Sequence, residues 1–140
     1  MRIINWNISW SNKTDGKVSY LRKLVEGESF IIILQEVKMH AFEHLKQTMG
    51  DIANIEFSLD YRIPGKYDTD SRKLGVAILV SKDIAITNAK VLDRALMPDR
   101  TMMVDIAYKG KPLRILRRNL SRGLFAKRIN YSWAGDFSCP

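Results

Sequence analysis

Glu36 and Asn7 are the side chains in this sequence best placed to do chemistry. Glu36 follows Gln35 at the end of the apolar run Phe30 to Leu34, and Asn7 follows Trp6 near the start of the chain. A carboxylate at the end of a buried strand can hold a hard cation such as Mg2+, which takes oxygen ligands. A second set, His40, Glu43 and His44, forms a literal H-x-x-E-H, the zinc-ligand spacing of the inverted zinc peptidases. On a helical wheel, however, Phe42, Leu45 and Met49 share one face, which leaves His40, Glu43, His44 and Gln47 on the opposite one. No distal carboxylate on a second marked helix is evident as a third ligand. This set therefore reads as a solvated polar face. Arg72 and Lys73 stand in a charged, turn-rich loop, 64–73, and offer contacts for a substrate phosphate.

The elements that must carry these residues follow from periodicity and punctuation. Phe30 to Leu34, rich in β-branched residues, reads as a strand buried on both faces. Arg2 to Ile8 reads as another strand. Between them, Val18, Leu21, Leu24 and Val25 fall at helical spacing, with Asn12, Thr14 and Asp15 as candidate caps and Gly27 as a stop. Strand, helix over 17–26 and strand make a βαβ unit, with parallel strands and a right-handed crossover. This brings Asn7 and Glu36 to one end of one sheet, where open α/β sheets bind ligands. A second helix is expected over Met39 to Met49, closed by Gly50. Strands are then expected over 52–63, 74–81, 84–92, 101–108 and 113–116, the last pair joined by a turn at Lys109-Gly110-Lys111-Pro112.

In order and spacing, these features resemble the endonuclease/exonuclease/phosphatase family, the fold of DNase I and the abasic-site endonucleases. The resemblance rests on Trp6-Asn7, on Leu34-Gln35-Glu36, on the glycine strand Gly75-Val76-Ala77-Ile78-Leu79-Val80-Ser81, and on Asp99-Arg100 opening a strand. It covers roughly residues 1–116. It implies an α/β fold, the N-terminal part of a four-layered α/β/β/α sandwich with a mixed sheet and two helices. It further implies Mg2+-dependent phosphoester hydrolysis, with Mn2+ as the substitute ion, Glu36 as metal ligand and Asn7 beside it at the catalytic centre. The resemblance implies a phosphodiester substrate, a nucleic acid or another phosphodiester.

Beyond Leu116 the resemblance ends. The family's later Asp-x-Asn and Ser-Asp-His are absent, and the chain's two histidines both belong to the second helix. Without a base to deprotonate the attacking water, about 10²–10⁴ in rate is forgone. The chain thus reads as the N-terminal half of a phosphoesterase, silent without a C-terminal half and left with an open apolar face that invites self-association.

Residues 117–140 read as a divergent basic tail outside the fold. They hold five basic side chains and one acidic one, leaving 18 and 14 for residues 1–116, so the net charge of +8 divides equally between the two parts. An alternative reading is a non-catalytic nucleic-acid-binding domain, using this tail with Phe125, Tyr131 and Trp133 as stacking groups. A hydrophobic fraction of 46% argues against disorder. The single cysteine, Cys139, excludes an internal disulfide and points to a reducing compartment; with no apolar run of membrane length, a cytoplasmic protein is expected.

Overall fold

A computed structural model describes residues 1–8, 14–61, 74–95 and 98–118. Its strands are β1 (Arg2–Asn7), β2 (Phe30–Lys38), β3 (Ala53–Phe57), β4 (Leu74–Ser81), β5 (Ala85–Lys90), β6 (Thr101–Tyr108) and β7 (Lys111–Arg118). Two helices, α1 (Thr14–Leu24) and α2 (Met39–Met49), and two short 3-10 turns, Ser58–Tyr61 and Pro98–Arg100, complete the described elements.

The first sheet runs in the order β1-β2-β4-β3 and the second in the order β5-β6-β7. β1 and β2 are parallel, in register from Arg2 against Phe30 to Asn7 against Gln35, as the βαβ reading requires. β4 is antiparallel to both β2 and β3, so the sheet is mixed. The second sheet is antiparallel throughout.

Each face of the first sheet has its own core. On one, Ile32, Leu34, Val37, Ala77 and Leu79 pack beneath Val18 and Leu21 of α1 and Ala41, Phe42, Leu45 and Met49 of α2. On the other, Ile31, Val76, Ile78 and Val80 meet Met102, Val104 and Ile106 of the second sheet. The alternation of β4, and of β2 as far as Gln35, between two apolar layers explains why both read as continuous hydrophobic runs. The described layers are thus helix, sheet and sheet, in the order expected of the α/β/β/α arrangement.

Several boundaries differ from the sequence reading. α1 starts earlier and stops at Leu24, and the chain then turns through Gly27, whose φ is 74°. The strand expected over 52–63 ends at Phe57. There the Ser58 hydroxyl accepts a hydrogen bond from the Val76 amide at 2.8 Å and donates to the Asp99 carbonyl at 2.5 Å. Such side-chain bonds compete with the ladder, and the chain enters a 3-10 turn. Gly75 is required at this junction, because a Cβ would lie 2.6 Å from the Phe57 ring and 2.9 Å from the Ser58 hydroxyl.

β5 is shorter at both ends than the expected 84–92 and carries a bulge between Ile86 and Asn88. β7 is longer, running from Lys111 through Arg118, so Arg117 and Arg118 continue the strand rather than leave it. The turn before it has positive φ at both Lys109 (49°) and Gly110 (73°), the two-residue geometry whose twist matches antiparallel strands.

Candidate functional site

β1, β2 and β3 all end, and β4 begins, at the same edge of the first sheet. Asn7 and Glu36 both lie at this end, on neighbouring strands. Asn7 is the last residue of β1, exposed, and stands opposite Gln35. The second sheet approaches this end as well, through the Ser58–Asp99 bond and the start of β6.

Glu36 does not simply end its strand. The β2–β4 register jumps from Gln35↔Val76 to Val37↔Gly75, so Glu36 is the extra residue of a β-bulge. Its φ is 59°, in the left-handed region that side chains other than Asn and Asp rarely enter. The bulge has a packing consequence. Without it, Val37 would fall on the second-sheet face; with it, Val37 is fully buried beneath α2 while Gln35 remains on the opposite face. Bulges and positive-φ residues concentrate at sites where a side chain must be re-aimed. Here the re-aimed residue is the carboxylate that the sequence singles out.

Gln35 shows what supports this end. It is only 7% exposed, and a buried amide must have partners. Its Nε2 donates to Asn5 Oδ1 at 2.8 Å, and its Oε1 accepts from an Arg117 Nη. The Arg117 bond crosses from β7 in the second sheet to β2 in the first. Sequence reading missed both Asn5 and Arg117. The available signal was alternation: Asn5 shares a strand face with Asn7, and Arg117 shares one with Leu113 and Ile115.

Beside these, Tyr61 donates its hydroxyl to Glu56 Oε2 at 2.5 Å. Burial first, and then the hydrogen bond to Glu56, push its phenol up to about 12. Arg72 and Lys73, the expected phosphate contacts, lie outside the described residues, as do residues 119–140.

α2 presents Ala41, Phe42, Leu45 and Met49 to the core, with His40 and Glu43 exposed. Glu43 is paired with Lys46 at 2.9 Å, and the Lys46 ammonium also stands over the Phe42 ring.

A cleft of about 990 Å³ lies at the opposite end of the sheet, lined by residues that include Arg22, Lys23, Glu28, Ser29, Asp51, Lys82 and Asp83. Its size does not make it the better site. Several of its charges are already committed: Arg22 forks onto Asp51 at 2.5 and 2.7 Å, and Asp83 accepts from Ser29. The Arg22 guanidinium holds the Asp51 carboxyl below its usual range. The cleft is a solvated seam between the α1 and α2 turns.

Among the described residues, no three His, Cys, Asp or Glu side chains converge on one point. Mg2+ does not demand such a cage, because it keeps several waters and is commonly held by one or two carboxylates plus substrate phosphates. A single half-buried carboxylate on a bulge, with an amide side chain on the neighbouring strand, fits that donor set. Glu36 is the residue that would hold the ion, with Asn7 beside it. No described helix is long and apolar enough to cross a membrane.

No protein-family model and no curated protein sequence matches the chain. Solved structures do. A truncated Caenorhabditis elegans TDP2 superposes with a TM-score of 0.59 at 19% identity, over 81% of this chain and 43% of that one. A humanised D. rerio TDP2 with 14 mutations gives 0.60 at 15% identity, over 81% and 47%. D. rerio TDP2 complexed with a single-strand DNA product gives 0.59 at 15% identity, over 81% and 43%. The chain therefore spans less than half the length of these proteins. With two helices over a mixed sheet and an antiparallel sheet beneath it, the chain shares its α/β fold with these TDP2 structures.

Proposed function

We propose that this chain is a metal-dependent phosphoesterase domain whose strand-end site, Glu36 with Asn7, holds Mg2+ or Mn2+ against a nucleic-acid phosphodiester. The observation that carries the reading is the bulge at Glu36. A left-handed backbone at a glutamate costs stability, and it places a carboxylate at the end where α/β sheets bind ligands. The similar D. rerio protein complexed with a single-strand DNA product supports nucleic acid as the substrate class. A bound divalent cation would supply charge neutralisation at the phosphate. The chain's own part is to orient that ion through Glu36 and to offer the Asn7 amide to a phosphate oxygen. Arg72 and Lys73 add positive charge for the backbone of the substrate.

The same reading holds that these 140 residues bind without turning over. His40 and Glu43 stand on the exposed face of α2, away from the second-sheet side of the site, and no Asp-x-Asn follows in the sequence. An open apolar face would also let the chain associate with copies of itself, and its lone cysteine suits a reducing, cytoplasmic setting.

The test is Mn2+ binding by electron paramagnetic resonance, together with hydrolysis of a single-stranded oligonucleotide. Saturable Mn2+ binding, lost in Glu36→Gln, with no cleavage, is the expected result. Mn2+ binding that Glu36→Gln leaves unchanged would sink the metal assignment. Cleavage abolished by Glu36→Gln would instead sink the silence. Arg72→Ala with Lys73→Ala should weaken oligonucleotide binding and flatten its salt dependence by up to about two phosphate contacts.

A further inference from the structure

We propose that Arg117 is a positioning residue for Glu36, acting across the gap between the two sheets through the side chain of Gln35. The inference rests on the reading of Glu36 as the metal ligand and adds the device that holds it.

A positive φ at a glutamate persists only where the surroundings over-determine it. One flank of the bulge is fixed by packing, since Val37 is fully buried under α2. The other flank is Gln35, the last residue in register before the bulge. Gln35 faces the second sheet, where apolar packing thins out toward the β1 edge and Ile33 is only half-buried. What fixes Gln35 there is hydrogen bonding. The donation from its Nε2 to Asn5 ties it to β1, and the acceptance by its Oε1 from Arg117 ties it to β7. The two bonds set the amide's orientation, because the nitrogen can only donate and the oxygen can only accept. With Gln35 tied in two directions and Val37 sunk in the core, the residue between them has one place to go.

Arg117 can do this only because β7 runs past Leu116. It pairs with Met102, and its side chain continues the inward-facing row of Leu113 and Ile115. It is thus the polar end of an apolar row, placed where the two sheets close on the site.

A purely electrostatic role has the opposite sign. A guanidinium near a cation site repels the ion, so its removal should tighten metal binding. A positioning role means that its removal loosens binding, as for residues that orient metal ligands from behind, whose loss typically costs about 10–100-fold in affinity.

The experiment compares Arg117→Met, Arg117→Lys and Gln35→Met in the full 140-residue chain. In metal-free protein, 15N spectra follow the Glu36 backbone amide and the Gln35 side-chain amide. Both should move in Arg117→Met and stay near their original positions in Arg117→Lys, since one donor suffices for this contact. Gln35→Met, which cuts the same link from the other side, should move the Glu36 amide in the same direction. Mn2+ titration should then show affinity about tenfold weaker in Arg117→Met, with recovery in Arg117→Lys.

A Glu36 amide that does not move in Arg117→Met overturns the proposal whatever the metal does. So does Mn2+ affinity that is unchanged or tighter in Arg117→Met while Glu36→Gln abolishes it. If Glu36→Gln itself leaves Mn2+ binding intact, the metal reading fails, and the amide shifts alone then decide the role of Arg117.

Discussion

The two faces of the first sheet are built to different ends. The helix-covered face is closed: Ile32, Leu34, Val37, Phe57, Ala77 and Leu79 are sealed under α1 and α2, and the Phe42 and Phe57 rings stack at 4.2 Å. Among the described residues, the face toward the second sheet is closed in its middle, where Ile31, Val76, Ile78 and Val80 meet β6. At β1 the same face leaves Ile3 52% exposed, and at the strand end it turns polar through Asn5, Asn7 and Gln35. Where packing is complete the chain is specified by apolar complementarity. Where packing stops, a hydrogen-bonded set takes over, and the candidate site is built on that set.

The sharpest way to break this contrast is to open the closed face. Phe57→Ala should destabilise the fold by about 3–5 kcal/mol in urea denaturation, because a buried ring and its stacking partner are both lost. A loss below 1 kcal/mol would mean that the helix side is not the principal core.

Gly75→Ala is next, at about 1–3 kcal/mol, since its Cβ would collide with the Phe57 ring and the Ser58 hydroxyl at the junction of the two regions. If the substitution is neutral, the close approach there is not as described.

Tyr61 tests the second-sheet side by pH. Burial and the hydrogen bond to Glu56 push its hydroxyl up to about 12, from an ordinary value of 10.0. The neutral phenol is therefore favoured by folding. Its contribution is fully present below pH 10 and is lost as pH rises from 10 toward 12. Absorbance titration should show one late-ionising tyrosine that disappears in Tyr61→Phe; five tyrosines ionising together would remove the claim.

Glu36→Gly should raise stability by up to about 1 kcal/mol, because relief of the left-handed glutamate exceeds the added freedom of glycine in the unfolded chain. It should do so while removing divalent-ion binding. A fall in melting temperature would show that the bulge is held by the carboxylate itself.

The smallest effect is expected at Ile3→Ala, within about 0.5 kcal/mol, as for other exposed positions. A larger loss would show that this edge is covered in solution.

The sequence by itself determined the βαβ opening, α2 and β6 to the residue, and the placing of Asn7 and Glu36 at one end of the sheet, because each follows from periodicity and from short connections that leave few topologies. It also separated the polar face of α2 from its apolar one. It did not determine the end of β3, the bulge or the role of Arg117. β3 stops because Ser58 finds partners 18 and 41 residues away in the chain. The bulge is a register difference between two strands, and neither strand alone carries a sign of it. Arg117 reads along the chain as the point where an apolar strand gives way to charge; only the second sheet, laid over the first, puts it against an amide 82 residues earlier. Apolar alternation is a local property of a strand and can be read there. The partner of a buried polar group is a property of the fold, because its hydrogen bonds are made to whatever the tertiary structure brings within reach.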